Sequence, residues 1–468
     1  MLNRPAREHL TLWGRFCKWL ALGAAVGAVT GSACALFLFG LDWVTGLRTG
    51  AGLVHGQPWL LLLLPAVGAV SGWIYWRLGG RADHGNNLII EEIHKPGGGV
   101  PARMAPLVLL GTLAAHLTGA SVGREGTAVQ MGGSLAGAIA RRLRFLTQED
   151  TRILLMTGVA AGFGGVFGTP LAGAIFAVEV LARGSLKHHL LAPFEWLMRR
   201  GQPGIARGNL KFHALPPCLL AAWIADVACK AWGIRHTDYA LLLESPPALS
   251  GPWGAKMAAE AALLGKVAAA GAVFGLAGAV FIGMTHQFKK TFASLSPIPW
   301  LRPALGGALV IALAYAAGTS DYLGLGVDSG TPRGTTIVSC FFAGGAVLTA
   351  FAWKMLFTSV SVGSGLKGGE VTPLFFIGAA LGNLLATLSN YFCMDEYGNP
   401  TGWRPVPVSL FAALGFVAVF AGATHTPLAC TFLAMELFGP GYGPHFALAC
   451  FAAHLLSGKG GLYAAQKP

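Results

Sequence analysis

The chain has 468 residues, 54% of them hydrophobic and only 11% charged, with a mean hydropathy of +0.59. Soluble globular domains carry about 25% charged residues, so the composition excludes a soluble fold and calls for a polytopic membrane protein. The net charge of +13 does not point to nucleic acid in a chain this apolar. Arg77, Arg81, Arg141, Arg142, Arg144 and the basic stretch from Arg183 to Lys211 fit cytoplasmic loops, which collect Lys and Arg.

In chain order, Arg4, Arg7, Arg15 and Lys18 precede the first long uncharged segment, Trp19 to Phe39, and place the N-terminus in the cytoplasm. A second segment runs from Pro58 to Tyr75; each can cross the hydrocarbon as a helix of ~20 residues. The first lacks a small-residue cleavage site, so it reads as a span and not as a signal peptide. Gly85-Asn86-Asn87 then opens a helix with two side-chain amide donors, although plain asparagine capping accounts for the same residues equally well. Glu91, Glu92 and His94 read as polar residues of the cytoplasmic side. Further apolar stretches at 104–120, 127–140, 152–182, 215–233, 256–283, 303–317, 336–361, 371–390, 406–438 and 445–456 include several too short, or too broken by Gly and Pro, to cross alone. Tilted and re-entrant helices follow, and 67 glycines let them pack closely.

Polar segments at 181–213 and 391–404 read as loops; in the first, Leu190, Leu191, Trp196 and Leu197 would alternatively make an amphipathic surface turn. Eight cysteines and thirteen histidines show no metal-ligand spacing. No metal or cofactor is expected. Five residues follow Tyr463, and no soluble regulatory module is expected. The chain reads as one membrane domain.

Chemistry concentrates in two repeated patterns. Gly123-Arg124-Glu125-Gly126-Thr127 and Gly368-Gly369-Glu370-Val371-Thr372 both read Gly-x-Glu-x-Thr, and each opens an apolar segment. A charge near the bilayer centre costs roughly 3 kcal/mol or more, so such acids are functional candidates. Downstream, Thr169-Pro170-Leu171-Ala172 with Glu179 recurs as Thr426-Pro427-Leu428-Ala429 with Glu436. Two related halves, about 19–235 and 256–468, are therefore expected around interrupted helices, an arrangement that marks ion or substrate sites. Helix starts at Gly126, Thr127 and Ala128 would aim free N–H groups into the membrane interior, an anion site without a basic side chain. Glu125 would fill that site when ionised and leave it when protonated. A glutamate compensating a helix dipole at the membrane surface would carry the same motif. Pro373 suits the first turn of the second helix.

These motifs resemble the CLC chloride channel and transporter family over nearly the whole chain, and specifically its fluoride-exporting branch. Gly123-Arg124-Glu125-Gly126 is similar to the family's Gly-Arg/Lys-Glu-Gly, which makes Glu125 the gating glutamate, and Gly461-Leu462-Tyr463 resembles the site of the central tyrosine. Departures from chloride-handling members also carry the resemblance. Gly85-Asn86-Asn87-Leu88-Ile89 stands for Gly-Ser-Gly-Ile-Pro, Gly368 to Thr372 for Gly-x-Phe-x-Pro, and Thr127 for a proline. The resemblance implies anion-pathway roles for Asn86, Asn87, Gly126, Thr127 and Tyr463, coupling roles for Glu370 and Thr372, and an edge-on anion contact for Phe376. Ile89 stands where the branch often has a second pathway aromatic, and Val180 where chloride exchangers carry an internal proton-accepting glutamate.

The expectation is an all-α, inverted-repeat membrane protein with a CLC-type fold, exchanging cytoplasmic fluoride for external protons in a bacterial inner (plasma) membrane. Both termini are placed in the cytoplasm, and the resemblance implies a homodimer. A chloride/proton exchanger or passive anion channel of the same fold is the nearest alternative. An intramembrane enzyme using Glu125 and Glu370 as a carboxylate pair lacks a nucleophile, metal motif or cofactor loop beside them. Helix N-termini facing the site argue against a cation pathway.

Overall fold

The computed structural model describes residues 4–50, 57–181, 209–237, 239, 252–327, 334–393 and 404–467. Most of the basic stretch from Arg183 to Lys211, up to residue 208, and most of the 391–404 loop lie outside them. Among the described residues there is no β-strand, and six helices are long and apolar enough to cross a membrane. The protein is all-α and polytopic.

The first half contains α1 (Arg4–Thr49), α2 (Leu64–Ile74), α3 (Asn86–His94), α4 (Met104–Leu117), α5 (Glu125–Arg142), α6 (Gln148–Phe167), α7 (Pro170–Glu179) and α8 (Asn209–Ala231). The second contains α9 (Trp253–Leu295), α10 (Arg302–Ala317), α11 (Ala350–Ser364), α12 (Val371–Tyr391), α13 (Val408–Thr424), α14 (Pro427–Phe438) and α15 (Gly443–Leu456). The uncharged segment from Trp19 to Phe39 sits inside α1, which runs on to Thr49 and stops at Gly50, where φ is +75°. A left-handed residue at that point ends a helix without a Cβ clash.

Several helices are too short to span. At 1.5 Å per residue, the 10 residues of α7 and the 12 of α14 cover less than about 20 Å of a core roughly 30 Å thick. Each follows a longer helix across a break at Thr-Pro, where the proline takes the first helical position and its missing N–H is harmless. The breaks leave helix ends that need partners, and the two halves supply them to each other. Glu436 accepts from Leu171 N–H at 3.0 Å and Ala172 N–H at 2.8 Å, while Glu179 accepts from Leu428 N–H at 3.0 Å and Ala429 N–H at 2.7 Å. Each repeat's glutamate thus caps the other repeat's short helix.

The core is built from α5, α6, α12 and α13. Every residue of α6 from Ile153 to Phe167 and of α13 from Leu410 to Thr424 is buried. Close glycine pairs let these helices touch backbone to backbone. A Cβ on Gly132 would lie 2.0 Å from Gly158 O and one on Gly158 2.3 Å from Gly132 O; for Gly378 and Gly415 both distances are 2.0 Å. Gly158 and Gly415 each stand 11 residues before their Thr-Pro break, so the contact recurs in the two halves. Gly415→Val must push α12 and α13 apart, at a cost of about 3 kcal/mol. A lowered thermal midpoint of the purified protein is the expected reading, and a wild-type melt would contradict the assigned contact.

Candidate functional site

The two Gly-x-Glu-x-Thr motifs meet. Gly123 N–H donates to Gly369 O at 2.5 Å and Gly369 N–H to Gly123 O at 2.7 Å, an isolated antiparallel bridge joining the halves. Only glycine permits this approach: a Cβ on Gly369 would lie 2.8 Å from Gly126 N, and Gly368 holds φ at +153°. From the bridge the chain turns directly into α5 at Glu125 and α12 at Val371, so two helix N-termini open side by side.

Glu125 is fully buried, at 0% exposure. Its Oε2 accepts from Thr372 N–H at 3.1 Å, Thr372 Oγ1 at 2.5 Å and Arg124 N–H at 3.2 Å, and its Oε1 from Arg124 Nε at 3.2 Å. Its carboxylate therefore occupies the N-terminus of α12, where free backbone donors favour negative charge. The site lies inside the protein, and the motif is not a surface cap.

Below this lock, a cavity of about 410 Å³ is lined by Asn86, Asn87, Gly368, Glu370 and Tyr463, with Lys289, Arg302, Lys367 and Asp83 on its walls. Gly85, at φ +58°, starts α3 and presents both asparagines there. Asn87 Oδ1 accepts from Ala465 N–H at 3.1 Å, whereas buried Asn86 Oδ1 has no hydrogen-bond partner. A Cβ on Gly126 would lie 3.3 Å from Asn86 Nδ2, so α3 also abuts the start of α5. Glu370 is half-buried at the N-cap of α12.

Tyr463 reaches the cavity because the C-terminal segment is tied to both halves. Leu462 N–H donates to Ala423 O at 2.9 Å, and Gln466 Nε2 to Val180 O at 3.0 Å and Thr424 O at 2.8 Å. The tyrosine stands within electrostatic reach of Glu370 and Glu125. Thr127 Oγ1 pairs instead with Thr112 Oγ1 at 2.7 Å, and Phe376 lies outside the cavity wall against Tyr322 and Lys354.

A sequence model described as "voltage gated chloride channel" matches residues 67–196 and 204–458. The chain belongs to this family, the CLC family. A relative from Pseudomonas syringae pv. tomato, described as a chloride/fluoride channel protein, is 43% identical over 99% of this CLC chain and 89% of its own length. The crystal structure of a CLC-type fluoride/proton antiporter superposes with a TM-score of 0.77 at 29% identity, over 97% of this chain and 98% of that one. The structure of a slow cyanobacterial Cl-/H+ antiporter shares the fold with a TM-score of 0.69 at 20% identity, over 94% of each chain. CLC proteins are anion transporters or channels and not enzymes, and this CLC chain is a multi-pass membrane protein of that fold.

Sequence reasoning did not single out the basic cavity wall or Gln466, nor did it find Lys354, a fully buried lysine in α11. For Lys354 a signal existed, since it is the one charge in the apolar run from Thr336 to Ser361.

Proposed function

We propose that this protein exports fluoride in exchange for protons, with Glu125 as the proton-carrying gate. The observation that carries the reading is the Glu125 carboxylate seated on Thr372 N–H and Oγ1. An anionic side chain there stands in for a free anion, and both compete for the same donors. Protonated by acid outside, Glu125 loses the charge that the helix N-terminus favours and leaves Thr372 to a fluoride arriving from the cavity. Once Glu125 has passed its proton to the cytoplasmic side, with Glu370 as the second carboxylate of that route, return of the ionised carboxylate expels the fluoride outward, so one site couples both fluxes.

Fluoride over chloride is supported by the small, strongly hydrogen-bonding donors of Asn86 and Asn87, by Glu370 on the cavity wall, and by the two similar proteins whose descriptions name fluoride. Gly126 supplies backbone approach, Tyr463 a hydroxyl, and Glu370 the second carboxylate of the proton route. Phe376 acts through packing behind Thr372. The halves are about 19–235 and 256–468, both termini are cytoplasmic, and two copies pair in the bacterial inner membrane, each with its own pathway.

Anion efflux from liposomes holding the purified protein tests this, with proton uptake recorded simultaneously. Fluoride release accompanied by proton uptake, and exceeding chloride release, is expected. Fluoride release without proton uptake would make the protein a passive channel, a reading that Val180 at the inner proton position favours. Equal release of both anions would remove the selectivity.

A further inference from the structure

The mouth of the cavity carries positive charge that the exchange described above leaves unused. Lys289 near the end of α9, Arg302 at the start of α10 and Lys367 between α11 and α12 share its wall with an exposed acid, Asp83. A cleft rich in one sign of charge concentrates ions of the other sign before any specific contact is made. Lys367 donates to Asp83 Oδ1 at 2.6 Å, and its ammonium lies 3.9 Å from the centroid of the Tyr75 ring. This pair spans 284 residues and ties one half to the other. Arg302 is engaged elsewhere, its Nε donating to Ser296 O at 3.0 Å. Lys289 is exposed, and among the described residues no carboxylate forms an ion pair with it. Its charge acts at longer range on Asp83 and on Glu370.

The Lys367–Asp83 pair is easily exchanged. The Asp83 side chain is 55% exposed and that of Lys367 19%, so water and salt weaken the attraction between them. A free anion reaching the mouth meets an ammonium whose present partner is itself an anion on a short tether. Lys367 also stands directly before Gly368-Gly369-Glu370. An anion received there is at the head of the segment that leads to Thr372.

We propose that Lys367 and Lys289 form a capture site for small anions at the cavity mouth, and that Asp83 is a tethered carboxylate that holds Lys367 until a free anion displaces it. Asp83 on Lys367 then repeats, at the entrance, the competition that Glu125 and Thr372 hold at the inner end. The site sets how much fluoride must be present at the mouth before export is half-maximal. This rests on the reading of the cavity as the route by which fluoride leaves the cytoplasm.

Membrane vesicles turned inside out put the cavity mouth in the bath. Fluoride uptake into them, driven by an acid interior, is measured against bath fluoride for the wild type, Asp83→Asn, Lys367→Gln and Lys289→Gln. Asp83→Asn leaves Lys367 without its carboxylate, so half-saturating fluoride should fall about threefold. Lys367→Gln and Lys289→Gln each remove an attracting charge, and the value should rise about threefold, the scale on which a partly exposed charge acts. The opposite signs are decisive. A clasp that only braces the two halves is broken alike by Asp83→Asn and Lys367→Gln, so a rise in both overturns the proposal. An unchanged value in Lys289→Gln overturns it too, and that variant breaks no ion pair on which folding could depend. Potassium gluconate at about 0.5 M in the bath should bring Lys289→Gln to within about 1.5-fold of the wild type, because an exposed charge is screened; a shift that survives undiminished belongs to side-chain shape and removes Lys289 from the site. Failure of the underlying reading looks different: wild-type vesicles that take up no fluoride show export itself to be misassigned, and the capture site falls with it. Wild-type uptake with all three variants matching it leaves export standing and removes the capture site alone.

Discussion

Glu125→Gln is expected to reduce proton uptake coupled to fluoride release at least about 100-fold, the scale on which a positioned proton-transfer group acts. The amide is nearly isosteric and can still accept from Thr372 N–H and Oγ1, so the lock keeps its shape. It cannot carry a proton, and it has no charge to exchange for that of a free anion. Stability should change little, because the charge-assisted part of those hydrogen bonds and the desolvation cost of a fully buried carboxylate disappear together. The measurement is proton uptake by liposomes under a fluoride gradient, beside the thermal midpoint of the same preparation. A folded Glu125→Gln protein that still takes up protons at the wild-type rate would remove the gate from this residue.

The largest loss of stability is expected at Glu179→Ala. Its carboxylate accepts from Leu428 N–H and Ala429 N–H, and it is only 7% exposed. Truncation leaves two backbone donors unpaired at the start of α14, each costing about 1–3 kcal/mol when water cannot replace the acceptor. A total of about 3–5 kcal/mol should appear as a lower melting temperature and a smaller monodisperse fraction. Glu436→Ala removes the equivalent cap from α7, but Glu436 is exposed in the subunit, so water can take its place and the loss should be about 1–2 kcal/mol. The order of the two variants is the decisive reading. Equal melting of Glu179→Ala and the wild type would show that the crossed caps do not hold the halves together.

The fold class was legible before any coordinates, because low charge density and long apolar runs leave a chain no alternative to membrane helices. The helix starts at Glu125, Asn86 and Val371 were legible too, since glycine and proline at those places carry local backbone instructions. Repetition revealed that Glu179 and Glu436 correspond. That each caps the other's helix was not legible, because a hydrogen bond across about 250 residues leaves no trace in local spacing. Lys354 lies within an apolar run, and a lone ammonium there is itself the clue.

By itself the sequence determined a polytopic helical protein with two related halves and acids placed at helix breaks, since hydrophobic length, turn residues and charge act over a few residues at a time. Only the tertiary structure decided that the two glutamate motifs touch through Gly123 and Gly369, that Thr372 holds Glu125, that the C-terminal strap delivers Tyr463, and that Phe376 faces Lys354 instead of the cavity. Those outcomes depend on which faces of distant helices meet, and that is set by close packing of the whole bundle.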